Sequence, residues 1–311
     1  MNEDLIRVAN YYYVMNMTQK EIADKIGISR QKVSRLLKKA QDEKIVEIRI
    51  NGMQESCIEL EKELQKALEI EEAYIIPSDD VLTIAEEALS YIANILKSGQ
   101  SFGVSFGNTL ASLFQVTKKI SPVGIDVVQL MGGLNTFQDS GYRPDEVTTS
   151  FANILGGKAH SLFIPAILDN LELKRLIYEE KQFHPMLERI KNVDIAFVAI
   201  GSLEQDLNNI LIRDGYFSSE QLERYRERGS VGEVCFHIYD INGELIDPEY
   251  DKHIVGITVE DFKNIPKKIG FAYGPHKVFP IIAAARGNYL NSLVTNKKTA
   301  EMIMAYLREE M

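Results

Sequence analysis

Two hydrophobic rhythms divide this chain of 311 residues. In the first fifty-odd residues, apolar positions recur at helical spacing in short segments: LIRVANYYYVMN (5–16), then Ile22, Ala23 and Ile26, then Val33, Leu36 and Leu37. From residue 73 the rhythm changes to short apolar runs of strand length. These are AYIIP (73–77), FGVSF (102–106), DVVQLM (126–131), SLFIPA (161–166), DIAFVAIG (194–201), VCFHIYD (234–240), HIVGITV (253–259), KIGFAYG (268–274) and SLVT (292–295). Most are separated by helix-spaced segments such as 82–96, 145–155, 277–287 and 299–310. Strands alternating with helices predict an α/β domain with a mainly parallel sheet. Between the two regimes, CIELEKELQKALEI (57–70) predicts a helix with Leu60, Leu64, Ala67 and Leu68 on one face. That face either pairs with a second copy or packs on its own body; alone it is too short for a coiled coil. The expected division is a head over 1–53, a linker or oligomerisation helix over 54–72, and an α/β body over 73–311.

The head carries matched start and stop signals. Thr18 and Glu21 have capping-box spacing, and Met17 and Ile22 occupy the positions of a hydrophobic staple. Gly27 suits the left-handed residue that ends a helix. One residue later Ser29 starts the next helix, with Ile28 and Val33 as its staple. Two short helices joined by a glycine-containing turn form a helix-turn-helix. The alternation at Ile45–Ile50 predicts a strand or small hairpin, a wing beside the helices.

Charge sharpens the picture. The whole chain has net charge −10, yet residues 1–55 hold ten Lys/Arg against eight Asp/Glu, and the rest holds 25 against 37. From Arg30 to Gln41 there are five cations and no carboxylate. In a helix-turn-helix the N-terminal side chains of the second helix reach base edges. Arg30, Gln31, Ser34 and Arg35 lie on or near the face opposite Val33, Leu36 and Leu37, and Arg and Gln pair with guanine and adenine respectively. Ser29 caps this helix, while Lys32, Lys38 and Lys39 suit phosphates, which position without specifying. Thr18 and Gln19 open the preceding helix, whose free N–H groups also suit a phosphate. The plainer alternative is a solvated basic face. The expected partner is double-stranded DNA, with the acidic body repelling it in wrong orientations.

Cys57 and Cys235 lack any CxxC or Cys/His spacing and are expected to be reduced structural thiols. The N-terminus lacks a signal-peptide pattern and no apolar run approaches ~20 residues, so a cytoplasmic protein without membrane contact is expected. No metal or other cofactor is expected.

Binding sites of parallel sheets lie beyond the carboxyl ends of their strands. After the run at 102–106, the loop Ser105, Phe106, Gly107, Asn108 and Thr109 leads into a helix, offering side-chain donors and free N–H groups to a phosphate. Gly132-Gly133 and Gly201-Ser202 follow two other strand ends. Lys277 stands at a helix start, where it can meet an anion or be an ordinary surface lysine. Asn242-Gly243 predicts a hairpin turn. Asp240 either bonds sugar hydroxyls or starts that turn.

The chain as a whole resembles the SorC family of sugar-responsive bacterial transcriptional regulators, which includes deoxyribonucleoside and central glycolytic gene regulators. The resemblance is carried, in family order and over nearly the full length, by YYYVMNMTQKEIADKIGISRQKVSRLLKKA, FGVSFGNTL, VVQLMGGL, AFVAIGS, GEVCFHIYDINGELID and GPHKVFPIIAAARGNYLNSLVT. It implies a sugar-binding body similar to the phosphosugar isomerase and glucosamine-6-phosphate deaminase fold. It also implies dimers or tetramers on palindromic operators, and a phosphorylated sugar that induces by relieving a repressor. On matching positions, Ser105–Thr109 and Lys277 look like phosphate contacts, and Gly132, Gly133, Gly201, Ser202 and Asp240 like the pocket around the sugar. Asn108 stands where many relatives carry a basic residue.

The leading expectation is a sequence-specific regulator of a carbohydrate operon that senses a phosphosugar, and not an enzyme. The competing one is a phosphosugar isomerase or deaminase with an appended DNA-binding head. A third is constitutive DNA binding with a ligand-free body. No HExxH spacing is present.

Overall fold

A computed structural model describes residues 2–43, 45–46, 57–116, 124–133, 143–203, 211 and 215–310. The chain separates into two compact units, Met1–Ser56 and Cys57–Met311.

In the first unit, α1 (Asn2–Ala9) runs into a π-helical turn, Asn10–Val14, then α2 (Gln19–Ile26) and α3 (Arg30–Asp42). The capping box forms: the Glu21 N–H donates to Thr18 Oγ1 at 3.3 Å and the Thr18 N–H to Glu21 Oε2 at 2.7 Å. Gly27 closes α2 at φ +70°, a conformation that costs other L residues about 1–2 kcal/mol. Ser29 Oγ accepts from the Lys32 N–H at 3.2 Å and starts α3. Val8, Ile22, Ala23, Val33 and Leu37 form the unit's core, with Met17, Ile28 and Leu36 packed against it. Residues 47–50 of the expected wing lie outside the described residues, and Ile45 and Val46 form a bend.

The second unit opens with α4 (Ile58–Leu68), which buries Leu64 and Leu68 in the unit's main core and leaves Ala67 exposed. Of the two readings of this helix, packing on its own body is the one observed. Seven parallel strands follow in one sheet: β1 (Glu72–Ile76), β2 (Ser101–Val104), β3 (Asp126–Gln129), β4 (Ala159–His160), β5 (Ile195–Ala199), β9 (Lys267–Phe271) and β10 (Ser292–Asn296), in spatial order β1-β10-β9-β5-β2-β3-β4. The alternation of strand side chains feeds two cores. In β5, Ile195 and Phe197 enter one and Ala196 and Val198 the other. Helices α5 (Val81–Ile95) and α7 (Pro144–Leu155) cover the first face; α4 and the helices Val278–Arg286 and Lys297–Glu310 cover the second. A small antiparallel sheet, β6 (Gly201–Ser202), β7 (Ser230–Val234) and β8 (His237–Asp240), stands beside the main one.

Three apolar runs depart from expectation. Segment 161–166 is not a strand; the short β4 precedes it. Segment 253–259 makes only isolated bridges, Ile254 to Ile167 and Gly256 to Met131. Both runs bury apolar side chains without joining a ladder: Leu162, Ile164 and Ala166 in the first, where Phe163 is exposed, and Ile254, Val255 and Ile257 in the second. Run 234–240 is two strands, because Cys235 and Phe236 both take positive φ (52° and 69°) in a two-residue turn.

Candidate functional site

In the first unit, the side chains proposed to meet DNA lie at the surface. Arg30, Gln31, Lys32, Ser34, Arg35 and Lys38 are exposed on α3, opposite buried Val33 and Leu37. Lys39 lies 3.5 Å from Glu43, and the other four cations form no ion pair with any described residue. Thr18 is exposed and Gln19 half-buried at the start of α2. An open cleft of about 650 Å³ runs past this helix start to Arg30.

In the second unit, the chain order sets where a ligand can sit. From β2 it steps to β3 and β4 on one side, then returns to β5, β9 and β10 on the other. The reversal falls between β2 and β5, the crevice where open α/β sheets bind ligands. Ser105, just past β2, is buried there and its Oγ accepts the Ala199 N–H at 3.0 Å, tying the two strand ends together. Gly107 follows, and Asn108–Ala111 forms α6, a single turn that continues as 3-10 helix to Gln115. This helix is shorter than the residue pattern implies. Any anion there would meet individual N–H groups and the Asn108 and Thr109 side chains rather than a developed macrodipole. Phe106 packs edge to face on Phe236 (5.8 Å between centroids) and at a tilt on Tyr216 (6.1 Å).

Past β5, Gly201 and Ser202 form β6 and pair with Glu233 and Gly232 of β7. Glu233 is the member that sequence reasoning missed. A Cβ at residue 201 would lie 1.9 Å from Glu233 Oε1, so glycine is what admits the carboxylate. Glu233 Oε2 accepts the Phe236 N–H at 2.8 Å. Burial pushes the Glu233 carboxyl above its usual range, opposed by the Phe236 N–H and by the charges of Lys277 and His237. Lys277, half-buried past β9, therefore belongs to this cluster. The only sequence signal for Glu233 was an acidic residue at the edge of an apolar run, two residues before a turn with no glycine or asparagine.

Gly132 and Gly133 lie past β3, but their N–H groups are committed to the Val255 and Ile164 carbonyls at 2.8 Å each. Asp240 starts the hairpin turn: its Oδ1 accepts the N–H groups of Asn242 and Glu244, both at 2.9 Å. That turn packs Gly243 on Gly287, past the C-terminal end of the helix that begins beside Lys277. Both cysteines are free and buried. No described helix is long and apolar enough to cross a membrane.

Comparison with known proteins agrees with this two-part arrangement. Residues 53–305 match the family model described as "Putative sugar-binding domain", and residues 5–66 match a Crp-like helix-turn-helix domain. The sorbitol operon regulator of Klebsiella pneumoniae is 31% identical over 96% of this chain and 97% of its own length. The deoxyribonucleoside regulator of Bacillus subtilis is 27% identical over 96% of each chain. The full-length crystal structure of the Klebsiella regulator superposes with a TM-score of 0.73 over 97% of this chain and 98% of that one, at 29% identity. A helix-turn-helix with surface cations, joined in sequence to a parallel-sheet sugar-binding domain, makes this chain a member of the SorC family of sugar-responsive transcriptional regulators.

Proposed function

We propose that this protein binds the operator of a carbohydrate operon through residues 1–53 and is released or retained by a phosphorylated sugar held in residues 73–311. The observation that carries the reading is the crevice between β2 and β5. Ser105, Gly107, Asn108 and Thr109 follow β2; Gly201 and Ser202 follow the adjacent β5 and pair with β7 beside Glu233, and Lys277 follows β9. Donors along one wall suit a phosphate, and a carboxylate along the other suits sugar hydroxyls. The protein acts in the cytoplasm as a homo-oligomer, because a palindromic operator needs two heads. A ligand changes operator affinity only by its differential affinity for the two arrangements of the subunits.

Thermal melting against a panel of sugar phosphates and the matching free sugars tests this. One phosphorylated member is expected to raise the melting temperature saturably, as mass action requires. A flat panel would remove the effector from the account.

One observation favours a second reading, a phosphosugar isomerase. A carboxyl held above its usual range beside a sugar site is what proton abstraction needs. Exchange of the carbon-bound proton next to the carbonyl, followed by NMR in deuterated water, separates the two: turnover favours the enzyme, binding without exchange the regulator.

A further inference from the structure

Past the ends of β9 and β10, a chain of hydrogen bonds runs from the surface into the turn that carries Lys277. β10 ends at Asn296, which is buried, and the helix Lys297–Glu310 holds buried Thr299 in its first turn. Asn296 Nδ2 donates to Oδ1 of Asp79, just past β1, at 2.6 Å. Asn296 Oδ1 accepts the Thr299 N–H at 3.2 Å and the Thr299 hydroxyl at 2.5 Å. Thr299 Oγ1 in turn accepts the Gly274 N–H at 2.7 Å.

Donor and acceptor capacities fix the direction of this chain. A carboxylate only accepts, so the Asn296 amide turns its NH2 toward Asp79 and its oxygen toward Thr299. Thr299 has a single hydroxyl proton. Once that proton is given to Asn296, its oxygen meets Gly274 as an acceptor. An aspartate at 296 could cap the helix equally well, but it would set a second carboxylate against Asp79. Helix capping therefore explains the bond to the Thr299 N–H and not the rest of the chain. Gly274 stands at φ +107°, a region that side-chain-bearing residues rarely adopt, and a Cβ there would lie 3.0 Å from the His276 ring. The turn Pro275–Lys277 follows directly and packs beside β6. The Gly274 N–H is thus a buried link between that turn and the end of β10.

We infer that Asn296 and Thr299 are positioning residues for the effector: they hold the Gly274 turn in the orientation that presents Lys277 to the ligand's anionic group. This rests on the proposed function above, in which Lys277 meets a phosphate, and adds residues outside the crevice that decide how well it does so. A lysine is a point charge on a flexible stem, so the place where its backbone is held sets where the charge falls. A turn held beforehand also spares the ligand the cost of ordering it.

Thermal melting of the full chain titrated with inorganic phosphate, against sodium chloride at matched ionic strength, reads the anion contact as a saturable rise. Thr299→Val keeps the shape and removes the hydroxyl, and is expected to weaken phosphate binding about tenfold. Thr299→Ser keeps the hydroxyl and should stay within about twofold of the wild type. Asn296→Asp keeps the helix cap but loses the donor to Asp79, and should also weaken phosphate about tenfold. Adding Asp79→Asn to Asn296→Asp returns an amide donor from the other side and should restore wild-type affinity. A purely structural role would lower the melting temperature without phosphate and leave the phosphate affinity where it was. Wild-type affinity in Thr299→Val or Asn296→Asp, no recovery in Thr299→Ser, or a double variant as weak as Asn296→Asp alone would each overturn the inference. A wild type indifferent to phosphate would instead overturn the Lys277 contact of the proposed function.

Discussion

Replacing Gly201 with alanine would strike the wall of the proposed sugar crevice without adding charge or polarity. The new Cβ would fall 1.9 Å from Glu233 Oε1 and 2.6 Å from its Cδ, against a contact distance of about 3.5 Å. The backbone at 201 is held by its pairing with Glu233 and cannot retreat, so the carboxylate must swing out. The Phe236 N–H then loses its acceptor. That bond closes a turn whose two residues both sit in the left-handed region, each disfavoured by about 1–2 kcal/mol. Leaving a buried N–H without an acceptor costs about 1–3 kcal/mol. A loss near 2 kcal/mol is expected, or roughly 4–8 °C in the melting temperature of a domain this size. Calorimetry at pH 8 measures it, and the same variant should lose its response to the effector. In a Glu233→Ala background the clash has no partner, so Gly201→Ala should then cost less than about 0.5 kcal/mol. A Gly201→Ala protein that melts with the wild type, or an equal cost in both backgrounds, would refute the reasoning.

Other outcomes follow from the same geometry. Arg35→Ala, exposed on α3, should cost ~1–3 kcal/mol of operator binding and relax selectivity at one base pair, read by competition between variant duplexes. Thr18→Ala should cost about 1 kcal/mol of head stability by removing the α2 cap, seen in chemical denaturation. Leu64→Ala should cost about 2–5 kcal/mol in the melting of the body, because α4 is part of that core; a purely oligomerising helix would instead show a concentration-dependent loss. Because burial raises the Glu233 carboxyl, the folded state keeps a proton that the unfolded chain has already released. Stability from this group therefore falls as pH rises from the usual glutamate range through the raised value. Denaturation midpoints across that window should show the wild type losing stability relative to Glu233→Gln; parallel curves would contradict the assignment.

The head was legible because its signals are local. Caps at Thr18 and Ser29, Gly27 between them, and apolar residues at helical spacing all act within a turn or two of chain. The parallel sheet was legible from alternation, since strands buried on both faces must be continuously apolar. Runs 161–166 and 253–259 misled because both bury apolar side chains without a ladder, and composition records burial rather than pairing. The turn at Cys235-Phe236 was hidden because its left-handed residues are held by the Glu233 carboxylate and aromatic packing rather than by glycine or asparagine. Glu233 itself was invisible because its significance lies in Gly201 opposite it, 32 residues earlier.

The central claim is that the crevice past β2 and β5 and the basic face of α3 report on one equilibrium. Titrating the full chain onto its upstream duplex, with and without the sugar phosphate that raises its melting temperature, measures the coupling directly. Affinity for the duplex should change by about 5–150-fold, and the duplex should change affinity for the sugar phosphate by the same factor. Identical isotherms with the crevice saturated would contradict the account.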